Sequence, residues 1–165
     1  MYGDGDMSVQ NRKTIGSIYG TITGRLLNVH SDASYLVEPK DRSRVEGHFY
    51  MSSNFTHSED SGAILNIAGI MKHAMTSAAE AEIGALFLNS RQAITARRLL
   101  EEIGHRQPPT PVKTDNTTAF GFANKIMVPT ATKSTDMRYW YMRDQSDQEK
   151  IRYYCGKGKG NHADY

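Results

Sequence analysis

From Arg25 onward, apolar and polar residues alternate one by one. Leu27, Val29, Ser31 and Ala33 take one set of positions, and Asn28, His30, Asp32 and Ser34 take the other. A period of two marks a strand with one face toward a core, and it sets Asp32 on the polar face. Pro39 and the charged run KDRSR predict a turn. Val45 to Ser52 (VEGHFYMS) and Ala63 to Ala68 (AILNIA) read as a second and a third strand, separated by a polar loop over Asn54 to Gly62. Three strands joined by short connections predict an antiparallel meander.

The period then lengthens. Ala79, Ile83, Leu86, Ser90, Ala93, Leu100 and Ile103 form a stripe at helical spacing, which predicts a long helix from about Ser77 to Ile103. Ser77 or Thr76 can cap it, and Glu80 stands three residues after Ser77, as a capping box requires. Gly104 stops the helix, and Pro108, Pro109 and Pro111 keep it from restarting. Val112 to Asp115 reads as a short strand, Asn116 to Lys125 as a short helix, and Ser134 or Thr135 as the cap of a further helix with Met137, Trp140 and Tyr141 on its apolar side. In that helix Trp140 is expected in the core and Tyr139 at the surface. Ile151 to Cys155 reads as the last strand, followed by a glycine-rich loop containing Lys157 and Lys159. Strands that alternate with helices in the second half imply parallel crossovers, so the sheet should be mixed.

Residues 1–24 are rich in Gly, Ser and Thr and show no sustained period; an atypical arm or a short added strand is expected there, with one domain over 25–165. The size, 165 residues, suits one domain, and 38% hydrophobic with 23% charged residues places the chain among ordinary globular proteins. The net charge of +2 is too small to argue for nucleic acid by itself. A lone cysteine, Cys155, excludes an internal disulfide framework and fits a reducing compartment. No apolar run reaches the roughly 20 residues of a membrane span. The start carries Asp4 and Asp6 and lacks an apolar core, so no secretory leader is expected. The six histidines are scattered without metal-ligand spacing, so structural zinc is not expected.

The candidate chemistry lies in the carboxylates. Asp32 sits mid-strand between small residues, where a charge is unusual; the ordinary alternative is a solvated outer-face aspartate. Asp115 ends a strand directly before a helix, where α/β sheets place ligands; the ordinary alternative is a helix cap. At roughly 100° per residue, Glu82 lies about 60° from Ala79 on the stripe, and Glu80 about 100° away on the other side, so Glu82 is the better candidate to face the sheet and Glu80 the better cap. Asp164, the penultimate residue, is the fourth candidate. Carboxylates converging from several elements repel one another, and divalent cations relieve that repulsion; two such ions about 4 Å apart suit phosphodiester hydrolysis.

Five stretches carry a resemblance: HSDASYL (His30 to Leu36), SAAEAEIGAL (Ser77 to Leu86), TDNTTA (Thr114 to Ala119), KSTDMRYWYMRD (Lys133 to Asp144) and GKGNHADY (Gly158 to Tyr165). In this order they resemble the ribonuclease H domain of copia-type retrotransposon Pol polyproteins. The resemblance implies an α/β ribonuclease H-like fold, a five-stranded mixed sheet flanked by helices. It implies hydrolysis of the RNA strand of an RNA–DNA hybrid during reverse transcription, with two Mg²⁺ ions, or Mn²⁺ in their place. Asp32 would bridge the ions, Glu82 and Asp115 would hold one, and Asp164 the other; the family's helical glutamate is the later of the pair, in agreement with Glu82. The products would carry 3′-hydroxyl and 5′-phosphate ends. Ser34, Asn116 and Thr117, near the carboxylates in sequence, are candidates to sense the 2′-hydroxyl. Lys133 and Arg138, with Lys125 and Arg143, are candidates for phosphate contacts, the alternative being a solvated helix face. His162, two residues before Asp164, is a weaker candidate for proton transfer. The implied partners are the hybrid and a reverse transcriptase domain of a parent polyprotein, and the implied setting is intracellular, a cytoplasmic virus-like particle or the nucleus. The chain is expected to stop short of the family's final helix, which would leave Asp164 the least firmly held ligand. The competing expectation is a binding module that keeps the fold without catalysis.

Overall fold

The structure, a computed structural model, describes residues 26–52, 62–124 and 133–156, and Ala163. The expected arm over 1–24, most of the polar loop after the second strand, and Lys125, Lys157, Lys159, His162 and Asp164 lie outside the described residues. The elements run β1 (Leu26–Glu38), β2 (Arg42–Ser52), β3 (Ala63–Ile70), α1 (Ala78–Glu102), β4 (Thr110–Thr114), α2 (Thr117–Ala123), α3 (Lys133–Asp147) and β5 (Ile151–Cys155). They form one five-stranded sheet in the order β3-β2-β1-β4-β5. The first three strands are antiparallel, and β1–β4 and β4–β5 are parallel. This is the mixed sheet that the change of period in the sequence predicted. Among the described residues no helix is long and apolar enough to cross a membrane.

The boundaries shift where charged or turn-forming residues stand inside regular structure. Most of the run read as a turn belongs to β2, which already begins at Arg42. Only Pro39, Lys40 and Asp41 lie between the strands, and Lys40 and Asp41 take left-handed backbone angles. The polar face of β1 is not solvated throughout. Asn28 and His30 are 1% and 0% exposed. Asn28 donates to Ser52 Oγ at 2.7 Å, and the His30 ring meets Tyr50 Oη at 3.2 Å. His30 and His48, distant in sequence, are cross-strand partners with ring centroids 6.4 Å apart.

The opposite face of the sheet carries the core. Leu27, Val29 and Phe49 from the first hairpin and Val112 and Tyr153 from the parallel strands pack against Leu86 and Ala93 of α1 and Met142 of α3. Ser77 caps α1 by accepting from the Glu80 amide at 3.1 Å, and Glu80 reaches back to the amide and hydroxyl of Thr76, both at 2.7 Å. At the far end Gly104, at φ 92°, lets the His105 amide reach Leu100 O at 2.8 Å, closing the helix as a Schellman motif does. The predicted stripe overshoots here: Ile103 is 70% exposed, because the chain has already left the sheet.

In α3 the predicted face is displaced. Met137 and Trp140 are exposed, whereas Tyr139, Met142 and Arg143 are buried. Tyr139 stacks edge-on against Phe122, and the Arg143 guanidinium lies 4.2 Å above the Tyr139 ring. Both triplets have the spacing i, i+3, i+4, so periodicity could not separate them; a cation–π contact turned Arg143 inward. Nor do Ser134 and Thr135 cap this helix, since it already includes Lys133.

Candidate active site

β1 and β4 lie side by side and parallel, with Val29 opposite Val112 and His30 opposite Lys113. The connection after β1 leads to β2 on one side, and β5 lies on the other side of β4. β4 ends one residue beyond this pairing while β1 continues to Glu38, and the space outside the carboxyl ends of strands is where open α/β sheets bind ligands. Two residues beyond the paired positions stand Asp32 on β1 and Asp115 just after β4, so the parallel register itself sets the two carboxylates beside each other. Asp115 does not cap α2. Asn116 does, its side-chain oxygen accepting from the amides of Thr118 and Ala119 at 2.9 and 3.0 Å.

Glu82 comes from the second turn of α1, on the side packed against the sheet, and is 9% exposed. One oxygen each from Asp32, Glu82 and Asp115 lie within 4.8 Å of one another. The Ala33 amide donates to Asp32 Oδ1 at 2.9 Å and also faces the Glu82 carboxyl. Glu82 Oε2 is buried without a hydrogen-bond partner among the described residues. Burial first, and then the charges of Asp32 and Asp115, push the Glu82 carboxyl from its ordinary 4.5 up to about 8. Glu80, by contrast, is held below its ordinary value by its bonds to Thr76, so the two glutamates of the pair have the separate tasks that helix geometry predicted.

The other candidates are placed unevenly. Ser34 donates to Glu46 Oε1 at 3.0 Å, and Glu46, opposite Asp32 on β2, is almost wholly buried. The Asn116 oxygen is occupied by its cap, and Thr117 is exposed. Arg138 Nη1 lies 4.0 Å from Met75 Sδ, near Glu80 at the start of α1. The Lys133 side chain is outside the described residues. Arg143 is buried against Tyr139 and faces no open surface. Two neighbours of Asp115 were missed by sequence reasoning. Lys113 is buried, and burial lowers its pKa against the pull of Asp115. Cys155, opposite Thr114 in the parallel pairing, points its exposed thiol at Asp115 O, and burial and then the Asp115 charge raise its pKa. The strand register would have found both; the linear spacing could not.

A five-stranded mixed sheet with one carboxylate in the middle of β1, one just after the parallel β4 and one on the first long helix is the arrangement of a ribonuclease H-like fold. A ribonuclease H1 isolated from compost by metagenomics superimposes with a TM-score of 0.59 at 9% identity, covering 84% of this chain and 90% of that one. The same enzyme in complex with an RNA/DNA hybrid gives a TM-score of 0.56 at 10% identity, covering 82% and 88%. The N-terminal RNase H domain of a Mycobacterium tuberculosis protein gives 0.58 at 12% identity, covering 83% and 86%. In sequence, the chain is 26% identical over 127 residues to the retrovirus-related Pol polyprotein from transposon TNT 1-94 of Nicotiana tabacum, a match over 77% of this chain. That match spans 9% of the polyprotein's length. No family model matches the chain. The fold is thus ribonuclease H-like, and in sequence the chain is similar to a stretch of a transposon Pol polyprotein.

Proposed function

We propose that the chain is a metal-dependent endonuclease that hydrolyses the RNA strand of RNA–DNA hybrids. One observation carries the reading: three carboxylates from β1, α1 and the end of β4 meet, and the most buried of them keeps an oxygen with no donor among the described residues. Uncompensated buried charge of this kind is costly, and a hard divalent cation is the partner that oxygen ligands of this sort accept. Asp32, Glu82 and Asp115 would hold it, with Asp164 as the further ligand that the family resemblance implies. Bound Mg²⁺ or Mn²⁺, two ions in this reading, would neutralise phosphate charge and ease deprotonation of the attacking water.

The chain's own groups prepare the site. The Glu82 carboxyl, pushed up by burial and by Asp32 and Asp115, would give up its proton in favour of a cation held there. Asp32 is oriented by the Ala33 amide. Ser34, Thr117 and the amide nitrogen of Asn116 would test the sugar for a 2′-hydroxyl, while Arg138 and Lys133 would serve the phosphates. The solved hybrid complex of the compost enzyme supports this choice of substrate. The similarity to a transposon Pol polyprotein supports a place in a retroelement polyprotein; copia-type reverse transcription beside a polymerase domain, in a virus-like particle or the nucleus, is what the family resemblance adds to the proposal.

The test is incubation with Mg²⁺ or Mn²⁺ and a hybrid labelled on the RNA strand, beside Asp115→Asn. Cleavage that the variant lacks is expected. Hybrid binding without cleavage would overturn the nuclease and leave the non-catalytic binding module.

A further inference from the structure

Glu82 reaches Asp32 only if α1 sits on the sheet at one particular height and rotation. Seven residues further along the helix, about two turns and about 20° away in rotation, Asn89 lies on nearly the same side. It is completely buried. Its amide nitrogen donates to Ser31 Oγ at 2.9 Å and to the backbone oxygen of Glu46 at 2.8 Å. A carbonyl can only accept, so the Glu46 contact fixes which end of the Asn89 amide faces the sheet. Ser31 immediately precedes Asp32, and its cross-strand partner is Gly47, next to Glu46. Gly47 supplies the socket: a Cβ there would overlap Asn89 Oδ1 and stand 2.9 Å from Asn89 Cγ. The Asn89 amide thus sinks into the sheet where the missing side chain leaves room, one residue pair from Asp32.

Stability alone does not account for this choice. Asn89 Oδ1 is buried without a hydrogen-bond partner among the described residues. An unsatisfied buried carbonyl is costly, and an apolar side chain over Gly47 would avoid that cost. What the asparagine adds is direction. Two hydrogen bonds to two adjacent strands resist both sliding and rotation of α1, which packing of Leu86 and Ala93 resists far less sharply.

We propose that Asn89, seated over Gly47 and bonded to Ser31 and Glu46, is a positioning residue that sets the height and rotation of α1 and so holds Glu82 against Asp32. This rests on the carboxylate trio being a cation site. The test is calorimetric Mn²⁺ titration of the full chain, with thermal unfolding of the metal-free protein measured beside it. Asn89→Leu is expected to weaken Mn²⁺ binding about tenfold while unfolding stays cooperative, at a melting temperature lowered by the two buried hydrogen bonds it removes; a tenfold loss is the size of effect typical when groups behind metal ligands are removed. Ser31→Ala, which keeps Asn89 and its bond to Glu46, should weaken it about threefold. Gly47→Ala should weaken it about tenfold by displacing Asn89, and should cost far less in an Asn89→Ala background, where only the Phe49 ring, 3.1 Å from the added Cβ, still has to give way. Wild-type binding with unchanged affinity in all the folded variants would overturn the positioning role alone. Absence of Mn²⁺ binding by the wild-type chain would overturn the cation site and this role with it.

Discussion

Helix α1 buries two ionic side chains and treats them in opposite ways. Arg97, near its carboxyl end, is 7% exposed and has acceptors all around it: the backbone oxygens of Pro108 and Gln107, Thr110 Oγ1 and the Glu101 carboxylate. Glu82, near its amino end, is 9% exposed, faces two further carboxylates and leaves an oxygen without a donor among the described residues. Arg97 ties the end of the helix to the start of β4 and is satisfied within the chain. Glu82 is buried in conflict with its neighbours. On one helix with one core, the difference separates a charge kept for the fold from a charge kept for something that the chain itself does not contain.

The contrast should break most visibly at Arg97. Arg97→Ala leaves several buried acceptors unpaired and is expected to cost about 3 kcal/mol of stability, read from the urea midpoint. Mn²⁺ affinity of the folded fraction should be unchanged; a larger loss of affinity than of stability would make Arg97 part of the site. Glu82→Gln should move the other way. Removing a charge that burial and two carboxylates oppose is expected to stabilise the metal-free chain at pH 8 on the order of 2 kcal/mol and to abolish Mn²⁺ binding. A variant less stable than wild type at that pH would mean that Glu82 is satisfied after all.

The same conflict predicts the pH dependence. The Glu82 carboxyl titrates at about 8 in the folded chain against an ordinary 4.5. Its contribution to stability is therefore full below 4.5 and is lost as pH rises through about 8. The metal-free melting temperature should fall over that window, saturating Mn²⁺ should remove the fall, and Mn²⁺ affinity should climb toward pH 8. A melting temperature in metal-free buffer that is flat over the window would count against the shift. The smallest effect belongs to Asn116, whose cap serves α2 alone: Asn116→Ala should cost about 1 kcal/mol and shift Mn²⁺ affinity little. A tenfold loss of affinity would show that the cap holds Asp115 in place.

The sequence was most informative where a residue's position follows from its own element. The alternation around Asp32, the end of β4 at Asp115 and the rotation of Glu82 away from Glu80 needed only a period and a register. Partners from other elements were hidden. Tyr139 and Arg143 displaced Met137 and Trp140 from the core because the choice between two equivalent helix faces is made by Phe122 and Tyr139 across the packing. Asn89 and Arg97 stand outside the apolar stripe read from the sequence; each is buried because a glycine on β2 or the backbone carbonyls before β4 receive it. Asn28 and His30 read as an outer face, but cross-strand Ser52 and Tyr50 engage them. Asp164 follows from resemblance alone.

Glu82→Gln offers the sharpest test of the central claim, that the trio is a cation-dependent centre for cutting RNA in hybrids, because the variant should fold at least as well as wild type. Both proteins are incubated with Mn²⁺ and a hybrid labelled on the RNA strand, and the fragments and their ends are resolved. Wild type is expected to release RNA fragments with 5′-phosphate and 3′-hydroxyl ends, with none from Glu82→Gln. Equal cleavage by both, or none by a wild-type chain saturated with Mn²⁺, would contradict it.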